Sequence, residues 1–203
     1  MKKYLNLKLI NKIIWRIINL RKKYLNHLQT EMIASEAKFF GKNSRIEYPC
    51  DSYNLQNISF GENFKAGNNL KIRTFEEFSN KIHSPEIIIK NDVSIETNCH
   101  ISAINYIEIG SNVLIASNVY ISDHNHGKIN FSDIEIPPLK RELSSKGAII
   151  IEDNVWLGEN VIVLAGVRIG KNTIVGANSV VTKNLDENSI YVGIPAKKII
   201  KNG

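Results

Sequence analysis

An all-β fold, a parallel β-helix with an amphipathic helix before it and one long loop excursion, is the class this sequence predicts, and three observations predict it. From Ile151 to Leu185 the chain repeats every six residues, as IEDNVW, LGENVI, VLAGVR, IGKNTI, VGANSV and VTKNL. The same pattern runs earlier, between Phe60 and Ile121. Ahead of both lies a stretch with isoleucines at helical spacing. A period of six fits neither an α-helix nor plain two-residue alternation, so each unit reads as one short strand and one tight turn. Three such strands close one triangular coil.

The first element is the N-terminal segment, residues 1–45. Ile10, Ile13, Ile14, Ile17 and Ile18 recur at helical spacing with Trp15 at the edge, which predicts an amphipathic helix. The first 23 residues hold Lys2, Lys3, Lys8, Lys12, Arg16, Arg21, Lys22 and Lys23 and no acid, in a chain whose formal net charge is +6. The positive charge is therefore local, and the body is nearly neutral. No basic stripe with interleaved aromatics crosses that body, which gives no case for nucleic acid. Charges interrupt the apolar region and no small-residue cleavage site follows, so a signal peptide is not expected. Two roles fit the helix: packing on the solenoid or a neighbouring subunit, or peripheral contact with an anionic membrane surface through residues 1–23. No run of 18 apolar residues exists to span a membrane. The two cysteines, Cys50 and Cys99, make no disulfide framework, so a reducing, cytoplasmic setting is expected, with peripheral attachment to the inner membrane face as a further option.

The solenoid itself is expected over residues 46–186, followed by a C-terminal extension, 187–203. Its early units FGENFK and AGNNLK open at Phe60 and Ala66 and lead to Ile72, IKNDVS and IETNCH open at Ile89 and Ile95, and IGSNVL, IASNVY and ISDHNH open at Ile109, Ile115 and Ile121. In the later run Ile151, Leu157, Val163, Ile169, Val175 and Val181 open the units, and Val155, Val161, Val167, Thr173, Ser179 and Leu185 take the fifth position. Gly, Ala, Glu or Asn at the second and fourth positions suit a turn, because these residues tolerate tight or positive-φ backbone. Between Ile101 and Ile109 the count runs over, which predicts a widened corner. One coil would bury about six inward side chains at roughly 1.5–3 kcal/mol each, against about 1–2 kcal/mol of backbone entropy for every ordered residue. Several contiguous coils and a capped end are therefore expected.

Chemistry is sought where the repeat breaks. The pattern stops at Ser122-Asp123-His124-Asn125-His126-Gly127, and an excursion over residues 127–148 precedes its return at Ile149. A loop of that length in a solenoid is more often functional than idle. An imidazole takes a proton from a hydroxyl at neutral pH, which makes the histidines held at the root of the loop, His124 and His126, candidates for general-base chemistry. His126 reads either as a substrate contact or as a solvated loop residue. Asp123 reads as a histidine-orienting or turn-forming carboxylate, counted with His126 among candidate substrate contacts. Trp156 takes the sixth position of its unit, where a large aromatic has no core to fill. It reads as a candidate functional residue or as an aromatic packed under the loop.

The run ISDHNHG, the segment SKGAIIIEDNVWLGENVIVLAGVRIGKNTIVGANSVVTKNL and the terminal YVGIPAKKI together resemble the hexapeptide-repeat acyltransferases. Within them the likeness is to sugar and polysaccharide O-acetyltransferases related to galactoside, maltose and nodulation-factor acetyltransferases, over residues 60–200. The resemblance implies a left-handed β-helix, a homotrimer with active sites between neighbouring subunits, and acetyl-CoA as co-substrate with its coenzyme A along the groove. It implies His124 as the base that deprotonates the acceptor hydroxyl, and Trp156 beside the pantetheine arm or the acceptor sugar. For coenzyme A it marks Ala177, Thr182 and Lys183, and Lys197 for the phosphates with Lys198 and Lys201 as competitors. No metal is expected. No nucleophilic Ser or Cys with a neighbouring base stands out, which favours direct transfer. The basic N-terminal segment and the long loop after His126 depart from the galactoside and maltose enzymes, and resemble members that acetylate capsule, O-antigen or other surface polysaccharides or their lipid-linked precursors. The alternatives are an antibiotic (chloramphenicol-type) or sugar-nucleotide N-acetyltransferase, differing in the intervals Arg73–Glu86 and Gly127–Gly147, and a zinc carbonic anhydrase-like β-helix using His100, His124 and His126.

Overall fold

Each six-residue unit folds into a short strand and a turn, and successive strands go to three different parallel sheets in strict rotation. A computed structural model describes residues 2–128 and 133–199. The residues that open the units stack on one another and make three inward columns. Phe60, Ile89, Ile109, Ile151 and Ile169 line the first face. Ile46, Ala66, Ile95, Ile115, Leu157, Val175 and Tyr191 line the second. Ile72, Ile101, Ile121, Val163 and Val181 line the third. All are buried, and the fifth-position Val155, Val161 and Val167 fill the corners of the same core. Every coil thus covers the apolar face of the next, which closes the free-energy gap a single coil would leave.

The turns divide the work between two residue types. Fourth-position asparagines Asn112, Asn118, Asn154, Asn160, Asn172 and Asn178 all have φ between 58 and 62°. This is the left-handed region that asparagine tolerates better than other side-chain-bearing residues. The second-position glycines serve a different need. A Cβ on Gly61 would lie 2.5 Å from the Lys90 carbonyl carbon, and one on Gly158 would lie 2.7 Å from Ala177 N. Stacked backbones leave no room there, so glycine at this position answers to sterics between coils.

The paired strands begin before residue 46. Phe39–Phe40, Arg45–Ile46 and Cys50–Tyr53 form a further coil in front of Phe60. Its signal is FGKNSR, which repeats FGENFK twenty residues ahead. A 3-10 turn at Leu55–Asn57 then throws the count out of phase. The N-terminal helix runs over Lys2–Glu36 and closes this end. Ile33 is buried in the core, Thr30 exchanges hydrogen bonds with the Ile46 backbone, and Gln29 and Asn26 accept from Cys50 N and Tyr48 N. Farther out Leu9, Ile10, Ile13, Ile14, Trp15, Ile17 and Ile18 are all exposed. The solenoid therefore takes the C-terminal end of the helix and leaves the isoleucine stretch uncovered. Among the described residues no helix is long and apolar enough to cross a membrane.

At the other end Ile190–Val192 adds to the second face and Lys197–Lys198 folds back on it antiparallel. Thr173 and Ser179, polar at fifth positions, are fully buried. Thr173 donates to Asp186 O at 2.7 Å and Ser179 Oγ accepts from Gly193 N at 3.0 Å. Their hydroxyls tie the closing segment across the last coil. Cys50 and Cys99 are free, and burial pushes their thiols up, to about 12 and about 11.

Candidate functional site

Four breaks in the repeat, at residues 54–57, 75–85, 104–105 and 123–148, fall at one corner of the prism. Each follows a strand of the third face and precedes one of the first. Extra residues leave a corner without disturbing the strands stacked beside it, so the interruptions line up about 4.7–4.9 Å apart per coil. Two of them are hairpins. Glu77–Phe78 pairs with Lys81–Ile82, and Asn125–His126 pairs with Leu143–Ser144. Lys81 Nζ lies 3.3 Å from Glu142 Oε2 and joins one hairpin to the other.

At the root of the longer one, Asp123 is fully buried. Its Oδ1 accepts from Ile104 N at 2.9 Å and its Oδ2 from Asn105 N at 2.8 Å, which explains the widened corner of the preceding coil. The same Oδ1 lies 3.1 Å from His124 Nδ1. With Nδ1–H donating to that carboxylate, Nε2 presents its lone pair, and among the described residues nothing bonds it. The ring is held by packing as well: Phe75 meets it edge-on at 5.7 Å and 78°. Asp123 is therefore not a substrate contact, because the core covers it and backbone and histidine take its oxygens. Its Oδ1 is placed to orient His124.

His124, His126, His100, Phe75, Lys71, Arg73 and Tyr120 line one pocket of about 280 Å³. His126 is exposed and leans on the edge of Phe78 at 5.2 Å. Burial, reinforced by Lys71 and Arg73, pushes His100 down to about 4. Arg73 is committed to Asp51. The three histidines thus share a pocket, and among the described residues no three His, Cys, Asp or Glu side chains converge as metal ligands. Phe75 and Phe78 come from the interval Arg73–Glu86 that the sequence marks only as an acceptor loop. Their signal is TFEEFSNK, aromatic residues in a stretch with no six-residue phase.

The remaining candidates separate. Ile121, Val163 and Val181 are stacked in register, so Thr182 and Lys183 lie at the same corner as His124, two coils away, and both are exposed. Trp156 belongs to the second face, between Leu114 and Ile174, and is 47% exposed. The excursion leaves from the third face, at a different corner, and Trp156 stays exposed among the described residues. Ala177 sits one coil on from Gly158, at the next corner beyond Trp156. Within one chain these two are apart from His124. At the end of the second face, Lys198 Nζ is engaged by Asp186 at 3.1 Å, whereas Lys197 has no ion-pair partner among the described residues. Lys201 lies outside the described residues.

Comparison with known proteins gives this geometry its relatives. The family described as bacterial transferase hexapeptide (six repeats) matches residues 148–183. WbbJ of Escherichia coli (strain K12), named for O-acetyl transfer in lipopolysaccharide biosynthesis, is 42% identical over 169 residues, covering 81% of this chain and 82% of that one. AntD, an N-acyltransferase from Bacillus cereus solved with dTDP and 3-hydroxybutyryl-CoA, superposes with a TM-score of 0.68 at 24% identity, over 84% of this chain and 86% of AntD. A maltose O-acetyltransferase from Clostridium difficile 630 superposes with a TM-score of 0.53 at 26% identity, over 83% and 72%. With a stacked six-residue repeat, a histidine at its break and a relative matched over most of both lengths, the chain belongs to the hexapeptide-repeat acyltransferases, proteins of the left-handed parallel β-helix fold.

Proposed function

We propose that this protein transfers an acetyl group from acetyl-CoA to a hydroxyl of a surface polysaccharide, capsule or O-antigen, or of its precursor, with His124 as general base. The observation that carries the reading is the Asp123–His124 pair at the repeat's break, a buried carboxylate 3.1 Å from Nδ1 with Nε2 unbonded among the described residues. Nε2 takes the proton of the acceptor hydroxyl as its oxygen attacks the thioester carbonyl. Asp123 stabilises the imidazolium that forms, and the proton then passes to the departing thiolate. A relative supports the group moved, since WbbJ is named for O-acetyl transfer.

The donor side needs a second chain. Trp156 and Ala177 lie on a different face from His124, so a neighbouring subunit whose second face meets the His124 corner would complete the site. Thr182 and Lys183 extend that corner along the solenoid axis, the direction a pantetheine arm would follow, and Lys197, without an ion-pair partner among the described residues, is the better match for phosphate than Lys198. This arrangement and the family support a homotrimer with sites between subunits. His126, exposed beside His124, contacts the acceptor. Residues 1–23 hold the assembly against the anionic inner face of the membrane, since their isoleucines are exposed in a stretch that carries eight basic residues and no acid.

Thiol release from acetyl-CoA tests the reading across polysaccharides, oligosaccharides, sugar nucleotides and chloramphenicol, with a chelator added in parallel. Turnover on a glycan that survives chelation and falls about 10²-fold or more in His124→Ala is expected. Chelator-sensitive activity, or transfer only to an amine, would overturn it.

A further inference from the structure

His83 is the one residue among those described with a buried side-chain nitrogen, Nε2, that has no hydrogen-bond partner. Buried polar atoms are nearly always paired, so an orphan facing a cavity points to a missing ligand. His83 stands between two cavities. The larger, about 790 Å³, is lined by Glu76, Glu77 and Glu86, which repel an anion. The other, about 720 Å³, lies between the two corner hairpins and is lined by Lys81, Lys128 and Lys146 with Ser144. Lys81 is shared with Glu142, but neither Lys128 Nζ nor Lys146 Nζ has a carboxylate partner among the described residues. Asn125 lines both this cavity and the His124 pocket, so the two are neighbours.

We propose that the cavity between the hairpins binds the phosphate or diphosphate of a phosphorylated sugar acceptor, with Lys128 and Lys146 supplying charge and His83 Nε2–H donating a hydrogen bond. The acceptor is then a precursor carrying phosphate, with its sugar hydroxyl at His124 and its anionic end toward Lys128. A finished neutral polysaccharide would leave two lysines and a buried donor unused. Burial, with help from Lys81 and His124, holds His83 below its ordinary value, so the ring is neutral and keeps one N–H to donate. The proposal rests on the acyl-transfer reading above and narrows its acceptor.

Calorimetric titration of the full chain with inorganic pyrophosphate tests the site without turnover. Saturable binding is expected, weakened about tenfold or more in Lys128→Gln/Lys146→Gln and in His83→Ala, with partial recovery in His83→Gln, whose amide keeps a donor. No saturable binding, or equal binding by all variants, would overturn the site. Kinetics then read the acceptor. In the lysine variant KM should rise for phosphorylated sugars while KM for acetyl-CoA is unchanged. Nucleotide diphosphate sugars and a short-chain polyprenyl diphosphate sugar separate the two sources of such a group, and preference for either supports the proposal. Preference of the wild type for unphosphorylated sugar overturns it. Absence of all acyl transfer would instead defeat the acyl-transfer reading, and pyrophosphate binding would still be scored on its own.

Discussion

Asp123 is held by Ile104 N and Asn105 N, backbone donors from a coil almost twenty residues earlier, and faces His124 on its other side. One carboxylate therefore sets both a corner and a tautomer. Asp123→Asn puts amide hydrogens where N–H groups already point. It is expected to lower turnover by about 10²-fold or more and to cost about 1.5–3 kcal/mol of stability by denaturant titration. His100 gives a pH signature. Its folded value, about 4, lies below the ordinary 6.5, so the unfolded chain binds more protons between the two. Stability from His100 is present above about 6.5 and is lost as pH falls toward 4, and the melting temperature of His100→Gln should fall less over that window. His124 was legible in the sequence because it interrupts a strict period. The role of Asp123 was not, since its partners are remote in sequence and a carboxylate beside a histidine serves equally as turn former, orienter or substrate contact.

At the scale of elements, the hexad is a local object and was read almost completely. What the letters left open was why each turn residue is needed. Asn172 has φ 58° and bridges Asn154 and Asn188 through its side chain. Asn172→Ala is expected to cost about 1–2 kcal/mol for the left-handed backbone, and Asn172→Gly less, by the same titration. Gly158→Ala should cost about 1–3 kcal/mol despite an ordinary φ, because the new Cβ meets stacked backbone rather than a movable side chain. The N-terminal helix was also legible from its spacing, yet its division into a docked end and an exposed stretch required the first coil to be seen. Deleting residues 1–23 should abolish co-sedimentation with anionic vesicles, and unchanged partitioning would refute membrane contact.

On the scale of the whole molecule, His124 and Trp156 lie on different faces of one chain, which makes a prediction about assembly. Co-expressed His124→Ala and Trp156→Ala chains should recover activity that neither has alone, at about a quarter of the wild-type sites for random mixing of two chains. No recovery would mean that the two residues do not meet across an interface. The sequence by itself determined the coil, the inward columns and the breaks, because a six-residue period, a left-handed turn asparagine and an interrupted repeat are written in neighbouring residues. Only the tertiary structure decided that four separate breaks share one corner, that Asp123 reaches back a full coil, that His83 Nε2 has no hydrogen-bond partner among the described residues, and that Trp156 faces elsewhere. Those outcomes depend on how coil lengths sum along the axis and on which backbone groups come to lie over one another, and neither quantity is carried by any short stretch of the chain.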